Sequence, residues 1–197
     1  MAISPTFVYG KLKELIGYFT QELENYTEEQ FQYKNDEETW SLAQMFQHMY
    51  TASTFFMYSA NNCLRQRKGS TEGEKTPVGI GLYQRNAFPD KEIKQPKEWT
   101  KGAPEAKTRE EAKQQWQDLL PKLKELAEAV TQDDGIYKNK HVFFGMLTAA
   151  EWYQQIEMHN RHHLKQKKKL EHLANIEGQD FQYQEVYFSQ ENIKNIK

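Results

Sequence analysis

The chain has 197 residues, with 28 acidic and 26 basic side chains and a formal net charge of −2. A charge so evenly balanced offers no electrostatic basis for nucleic-acid binding, and the length suits a single domain spanning residues 1–197 with a substantial core. The single cysteine, Cys63, excludes an intramolecular disulfide and a thiolate metal cluster.

Helical periodicity dominates. A first helix is predicted over about residues 5–26, with Ser4 as cap and Pro5 at its first position; Leu12, Leu15, Ile16, Phe19 and Leu23 form its apolar stripe. A second begins at Ser41, where Ser41 and Gln44 match a capping box, and carries Leu42, Met45, Phe46, Met49, Ser53, Phe56, Ala60 and Leu64 to about residue 67. Cys63 sits in this run and reads as packing rather than as a nucleophile. Residues 68–107 break the pattern with repeated Gly and Pro, and a loop of that length is usually a functional cover or disordered. Val78, Ile80, Leu82, Tyr83 and Phe88 give it enough apolar surface to drape over the protein, with one short helix expected.

A third helix starts at Thr108, with Glu111 completing a capping box, and Pro121 is expected to kink it or to start a second segment. His141 to Gly145 form an apolar link. Thr148 and Glu151 then cap a fourth helix that runs to about Ala174. No strong strand run is apparent elsewhere, and the 179–197 tail alternates aromatic and polar residues from Gln179 to Phe188, suited to covering the bundle or pairing with another chain. The expectation is an all-α four-helix bundle with a long loop between helices 2 and 3, a scaffold that builds metal sites from facing helices.

His159 and His163 lie one turn apart on the apolar stripe of the fourth helix, with Trp152, Ile156, Leu170 and Leu173. Buried imidazoles need partners, because an unpaired buried polar group costs roughly 1–3 kcal/mol. A divalent ion and hydrogen-bonding core neighbours are both open as that partner. His48, on the shoulder of the second helix, is either a third ligand facing a crevice or a hydrogen-bonded, partly exposed histidine. His162 points off the stripe, His141 is near the site or merely in a turn, and His172 and the Lys167–Lys169 run read as solvated. The stretch from His159 to His163 is not a zincin motif, since Asn160 stands where that motif needs Glu.

Trp40-Ser41, His48 seven residues later, and then His159, His163 and Gln166 together resemble the DinB/YfiT-like metal-binding bundle superfamily. Phe144-Gly145-Met146-Leu147-Thr148 with Glu151-Trp152 and His162 is similar to a subgroup of unknown function, which often has His-Pro where this chain has His141-Val142. The resemblance implies a divalent-metal site, zinc or nickel, with His48, His159 and His163 as ligands. It leaves Gln166 either orienting a ligand or a bound water, or filling a gap in the bundle. It also implies a homodimer and a small-molecule substrate.

Members of this superfamily include transferases that use a low-molecular-weight thiol. The first expectation is therefore a metal-dependent thiol S-transferase acting on an electrophile. A metal-dependent hydrolase is the alternative. It needs a base near the metal, and Glu151 and Glu157 point about 100–140° from the histidine stripe. A non-enzymatic metal-binding or stress-associated protein is the third reading. With no basic-then-apolar segment at the start of the sequence and no window near the roughly 20 apolar residues of a membrane span, a cytoplasmic protein with no membrane partner is expected.

Overall fold

The computed structural model describes residues 3–89 and 102–181. It is mainly helical. Among the described residues the long helices are α1 (Pro5–Asn25), α3 (Leu42–Leu64), α5 (Arg109–Thr131) and the pair α6 (Ala149–His162) and α7 (Leu164–Leu173). Short elements lie between them: α2 (Glu28–Gln32), β1 (Gly69–Ser70), α4 (Pro77–Arg85), β2 (Lys138–His141) and β3 (Gly145–Thr148). None of the described helices is long and apolar enough to cross a membrane.

The helix starts follow their local chemistry. Ser41, Thr108 and Thr148 each accept from the backbone N–H three residues on, while the side chain at that position accepts from the cap's own N–H. Ser4 occupies the cap position of α1 without a side-chain bond, and Pro5 opens that helix. The helix α5 continues through Pro121 and no second segment starts there. Pro121 and Gln117, four residues earlier, both face solvent, so water can take the carbonyl that the proline leaves unbonded.

The core is aromatic at its centre. Phe19 of α1, Phe46 of α3 and Trp116 of α5 pack with centroids 5.6–6.5 Å apart. Phe31 joins them at 5.6 Å from Phe46. Phe31 comes from α2, which is too short to show a periodicity.

Two parts depart from the sequence reading. A three-stranded antiparallel sheet, ordered β1-β2-β3, occupies segments expected to hold no strand. The strand β2, Lys-Asn-Lys-His, has no apolar alternation, and backbone pairing holds it. Gly145 makes the tight end possible. Its φ is +81°, and a Cβ there would lie 2.5 Å from the Glu74 carbonyl oxygen. The long loop also contains the expected short helix, α4, capped by Thr76 and packed so closely on this hairpin that a Cβ at Gly79 would meet the Phe144 carbonyl at 2.3 Å.

The fourth predicted helix is interrupted at His163, whose N–H is shared between the carbonyls of His159 (3.3 Å) and Asn160 (3.2 Å). Beyond it, Lys167 is not solvated as expected but 1 % exposed. Its ammonium is held by Glu22 (2.8 Å), Glu171 (2.6 Å) and the Tyr18 hydroxyl (2.7 Å). Acidic partners, one of them on the distant α1, make its burial affordable, and a run of three lysines does not reveal them. The start of the tail lies on the same surface. Tyr18 donates to the Gln179 carbonyl at 2.6 Å, and Phe181 packs 4.9 Å from the Tyr18 ring. The aromatic residues expected further along, Tyr183 to Phe188, lie outside the described residues, as do residues 90–101 of the long loop.

Candidate metal centre

The helices α3 and α6 pack along their length, and a buried polar tie sets their register. Asn160 donates to Ser53 Oγ (3.1 Å), which donates to the Met49 carbonyl (2.8 Å). The sequence places Ser53 on the apolar stripe and sets Asn160 only against the zincin motif, without pairing the two, although a serine within that stripe was a usable sign. Fixing this register brings His48 of α3 against α6. His48 Nε2 lies 3.2 Å from His159 Nε2, which lies 3.3 Å from His163 Nε2. One ring nitrogen from each of the three residues falls within 4.8 Å of the others.

These rings are held neutral. Burial lowers His48 to about 4. Burial, then the neighbouring His48, lowers His163 to about 3. Burial and the adjacent His163 and His48 push His159 well below the ordinary imidazole range. Neutral rings expose lone pairs, and nitrogen lone pairs that face one another at such distances repel unless a proton or a cation lies between them. The donor set suits a divalent transition metal, as three imidazoles form an open site. Among the described residues no carboxylate or cysteine belongs to the cluster.

Neighbours aim the rings. Gln166 Oε1 lies 2.7 Å from His163 Nδ1; an amide oxygen can only accept, so the His163 proton sits on Nδ1 and Nε2 turns its lone pair to the cluster. Trp40 packs 5.2 Å from the His48 ring and limits how that ring can turn. His159 Nδ1 is buried with no hydrogen-bond partner among the described residues, and Phe56 (5.6 Å) and Phe88 (5.9 Å) hold its ring instead. Beyond them the wall continues through Trp152, 6.0 Å from Phe56, to His141, 5.1 Å from Trp152 and stacked 4.2 Å from Phe144. Phe144 returns to Phe88 at 5.9 Å, closing a circuit of rings with His159 at one end.

His141 proves to serve both in the turn and in this wall. Its Nδ1 accepts from the N–H groups of Phe143 (3.1 Å) and Phe144 (3.3 Å), which leaves the ring proton on Nε2, and burial lowers its pKa to about 4. His162 stands outside the cluster, 5.6 Å from Phe88, and His172 is exposed as expected. Cys63 is buried and its thiol is pushed up to about 12 by burial, so it is no nucleophile. Neither nearby glutamate is available as a base. Glu151 caps α6 and pairs with Lys75 (2.5 Å), and Glu157 pairs with Arg161 (2.8 Å).

No curated protein and no solved structure matches the chain. The DinB superfamily matches residues 11–166, from α1 into the first turn of α7, a span that contains His48, His159, His163 and Gln166. A match over most of the chain, on a helical bundle with a three-histidine cluster between its helices, establishes that this protein belongs to the DinB superfamily.

Proposed function

We propose that His48, His159 and His163 bind a divalent metal ion, zinc or nickel, and that the protein is a metal-dependent S-transferase joining a low-molecular-weight thiol to a small electrophilic molecule. The observation that carries this reading is the convergence of three neutral imidazole nitrogens within 4.8 Å. A divalent ion held there would supply positive charge that lowers the pKa of a thiol toward neutrality.

The chain's own residues then have plain tasks. Gln166 keeps the His163 lone pair directed inward. Phe56 and Phe88, the first backed by Trp152, shield the buried Nδ1 side of the His159 ring from water, which strengthens electrostatic interactions there. The reaction asks for no protein nucleophile, in keeping with an inert Cys63. The pairing of Glu151 and Glu157 favours transfer over hydrolysis, since hydrolysis calls for a free base near the bound water. The homodimer carried over from the family likeness belongs to the same reading, and sedimentation of the purified chain tests it.

The central test is metal analysis of the purified protein beside H48A, followed by assay with a thiol and 1-chloro-2,4-dinitrobenzene. The expected result is about one divalent ion per chain, lost in H48A, and thiol-dependent turnover that falls with the metal. Ester cleavage without thiol would establish the hydrolase instead. Stoichiometric metal with neither activity would leave a non-enzymatic metal-binding protein.

A further inference from the structure

Helix α6 ends at His162 and α7 begins at Leu164, so His163 is the joint between them. Backbone bonding across that joint is divided, because the His163 N–H is shared between two carbonyls at 3.2 and 3.3 Å. A shared, long bond holds less firmly than a single straight one, so α6 alone specifies the direction of α7 loosely. The first turn of α7 nevertheless grips His163 twice. The Lys167 N–H donates to the His163 carbonyl at 2.8 Å, and Gln166 Oε1 takes the Nδ1 proton at 2.7 Å. Where that turn sits therefore decides where the His163 ring points.

The Lys167 side chain fixes the turn from outside. Its ammonium reaches across to α1, to Glu22 Oε2 (2.8 Å) and the Tyr18 hydroxyl (2.7 Å), and closes on its own helix at Glu171 Oε1 (2.6 Å). Its N–H donors meet acceptors on two helices, so the place of Nζ relative to α1 is defined. The helix α1 is a firm reference, since Leu12, Leu15 and Phe19 are fully buried. After α7 the chain closes over the same group. A Cβ at Gly178 would overlap the Glu171 carboxylate, and the Tyr18 hydroxyl donates to the Gln179 carbonyl. A buried ionic group is a poor source of net stability, because apolar side chains of the same volume often do as well or better. Apolar burial does not supply direction, and hydrogen bonds do.

We propose that Lys167 is a positioning residue for the metal centre. By tying the first turn of α7 to α1, it holds Gln166 and the His163 ring at the setting in which His163 Nε2 faces His48 and His159. This assignment rests on the metal reading above and is independent of the thiol.

The test separates position from stability in the full chain. Chelator competition gives zinc affinity, and the visible d–d absorption of bound cobalt(II) reports the arrangement of its ligands. The variant E22L/K167M/E171L replaces the whole ionic group by apolar side chains. It is expected to recover most of the urea resistance that K167M loses, yet to bind zinc about ten-fold more weakly than wild type, with an altered cobalt spectrum. E22L/K167M, which leaves Glu171 bonded to Tyr26, serves where the triple variant does not fold. K167M alone should lose about ten-fold, but less than about two-fold when added to Q166L, where the His163 ring is already released. Wild-type affinity and spectrum in the apolar variant overturn the proposal and leave Lys167 a stabilising residue beside an intact metal centre. A loss from K167M that is equal with and without Gln166 overturns it too. If the wild type takes up neither zinc nor cobalt, the metal reading fails and this assignment falls with it.

Discussion

The Nδ1 of His163 donates to Gln166 Oε1 at 2.7 Å, and this one contact determines which nitrogen of His163 faces His48 and His159. Residues three apart on a helix are neighbours, so the one-turn offset is what allows the bond. Partners of this kind typically contribute ten- to hundred-fold in metal affinity. Q166L is expected to weaken zinc binding by about that factor, and Q166E, which keeps an acceptor, to retain it. Competition against a chromophoric chelator measures both. Equal affinity in Q166L and wild type would show that His163 needs no such support.

The buried imidazoles make the stability of the metal-free protein depend on pH. Burial holds His48 and His141 at about 4 and His163 at about 3, and it lowers His159 as well. An unfolded histidine titrates near 6.5. Between that value and the folded ones the unfolded chain binds more protons, so stability rises with pH in this window. It is fully present above about pH 6.5 and is lost as pH falls toward about 4 and then 3. Thermal unfolding at pH 7, 6 and 5 should show a steep fall in midpoint, less steep in H48L. A midpoint unchanged from pH 7 to 5 would mean that the rings titrate as if exposed.

Lys167 makes the strongest claim on stability away from the cluster. Its ammonium and the carboxylates of Glu22 and Glu171 are all at most 5 % exposed, and Tyr26 adds a 2.7 Å bond to Glu171. Removing one member of a buried ionic group leaves uncompensated charge and costs about 3–5 kcal/mol. K167M should therefore unfold in distinctly less urea. Replacing Glu22 and Glu171 by leucine in the same chain should restore much of the loss. If K167M unfolds like wild type, the network contributes little.

The sequence made the long elements legible because their signals are local and repeated. Leu12, Leu15, Ile16, Phe19 and Leu23 recur at helical spacing and are buried as a set, and the Ser41, Thr108 and Thr148 boxes sit at true helix starts. The histidines could be singled out because polar residues on an apolar stripe are conspicuous, and the structure brings those three together. What stayed hidden depends on distant partners. The sheet rests on backbone pairing between Gly69–Ser70 and residues nearly seventy positions away. Lys167 is buried because Glu22 lies opposite it on α1, and nothing within the Lys167–Lys169 run records that.

His141 carries two separable contributions, and a pair of substitutions can divide them. Its Nδ1 receives two backbone N–H groups and holds the β2–β3 turn, while the proton on Nε2 takes no part in that bonding. An asparagine places its Oδ1 near the position of Nδ1 and so can keep the turn, but it offers nothing where Nε2 stood. H141A removes both bonds, each contributing about 0.5–1.5 kcal/mol where water can reach the freed N–H, whereas H141N should recover most of that stability. The stacking of the ring on Phe144 at 4.2 Å is lost in both variants, so it does not affect the comparison. Urea denaturation of the metal-free proteins gives the two values, and equal destabilisation by alanine and asparagine would show that ring packing, not the turn bonds, is what His141 contributes.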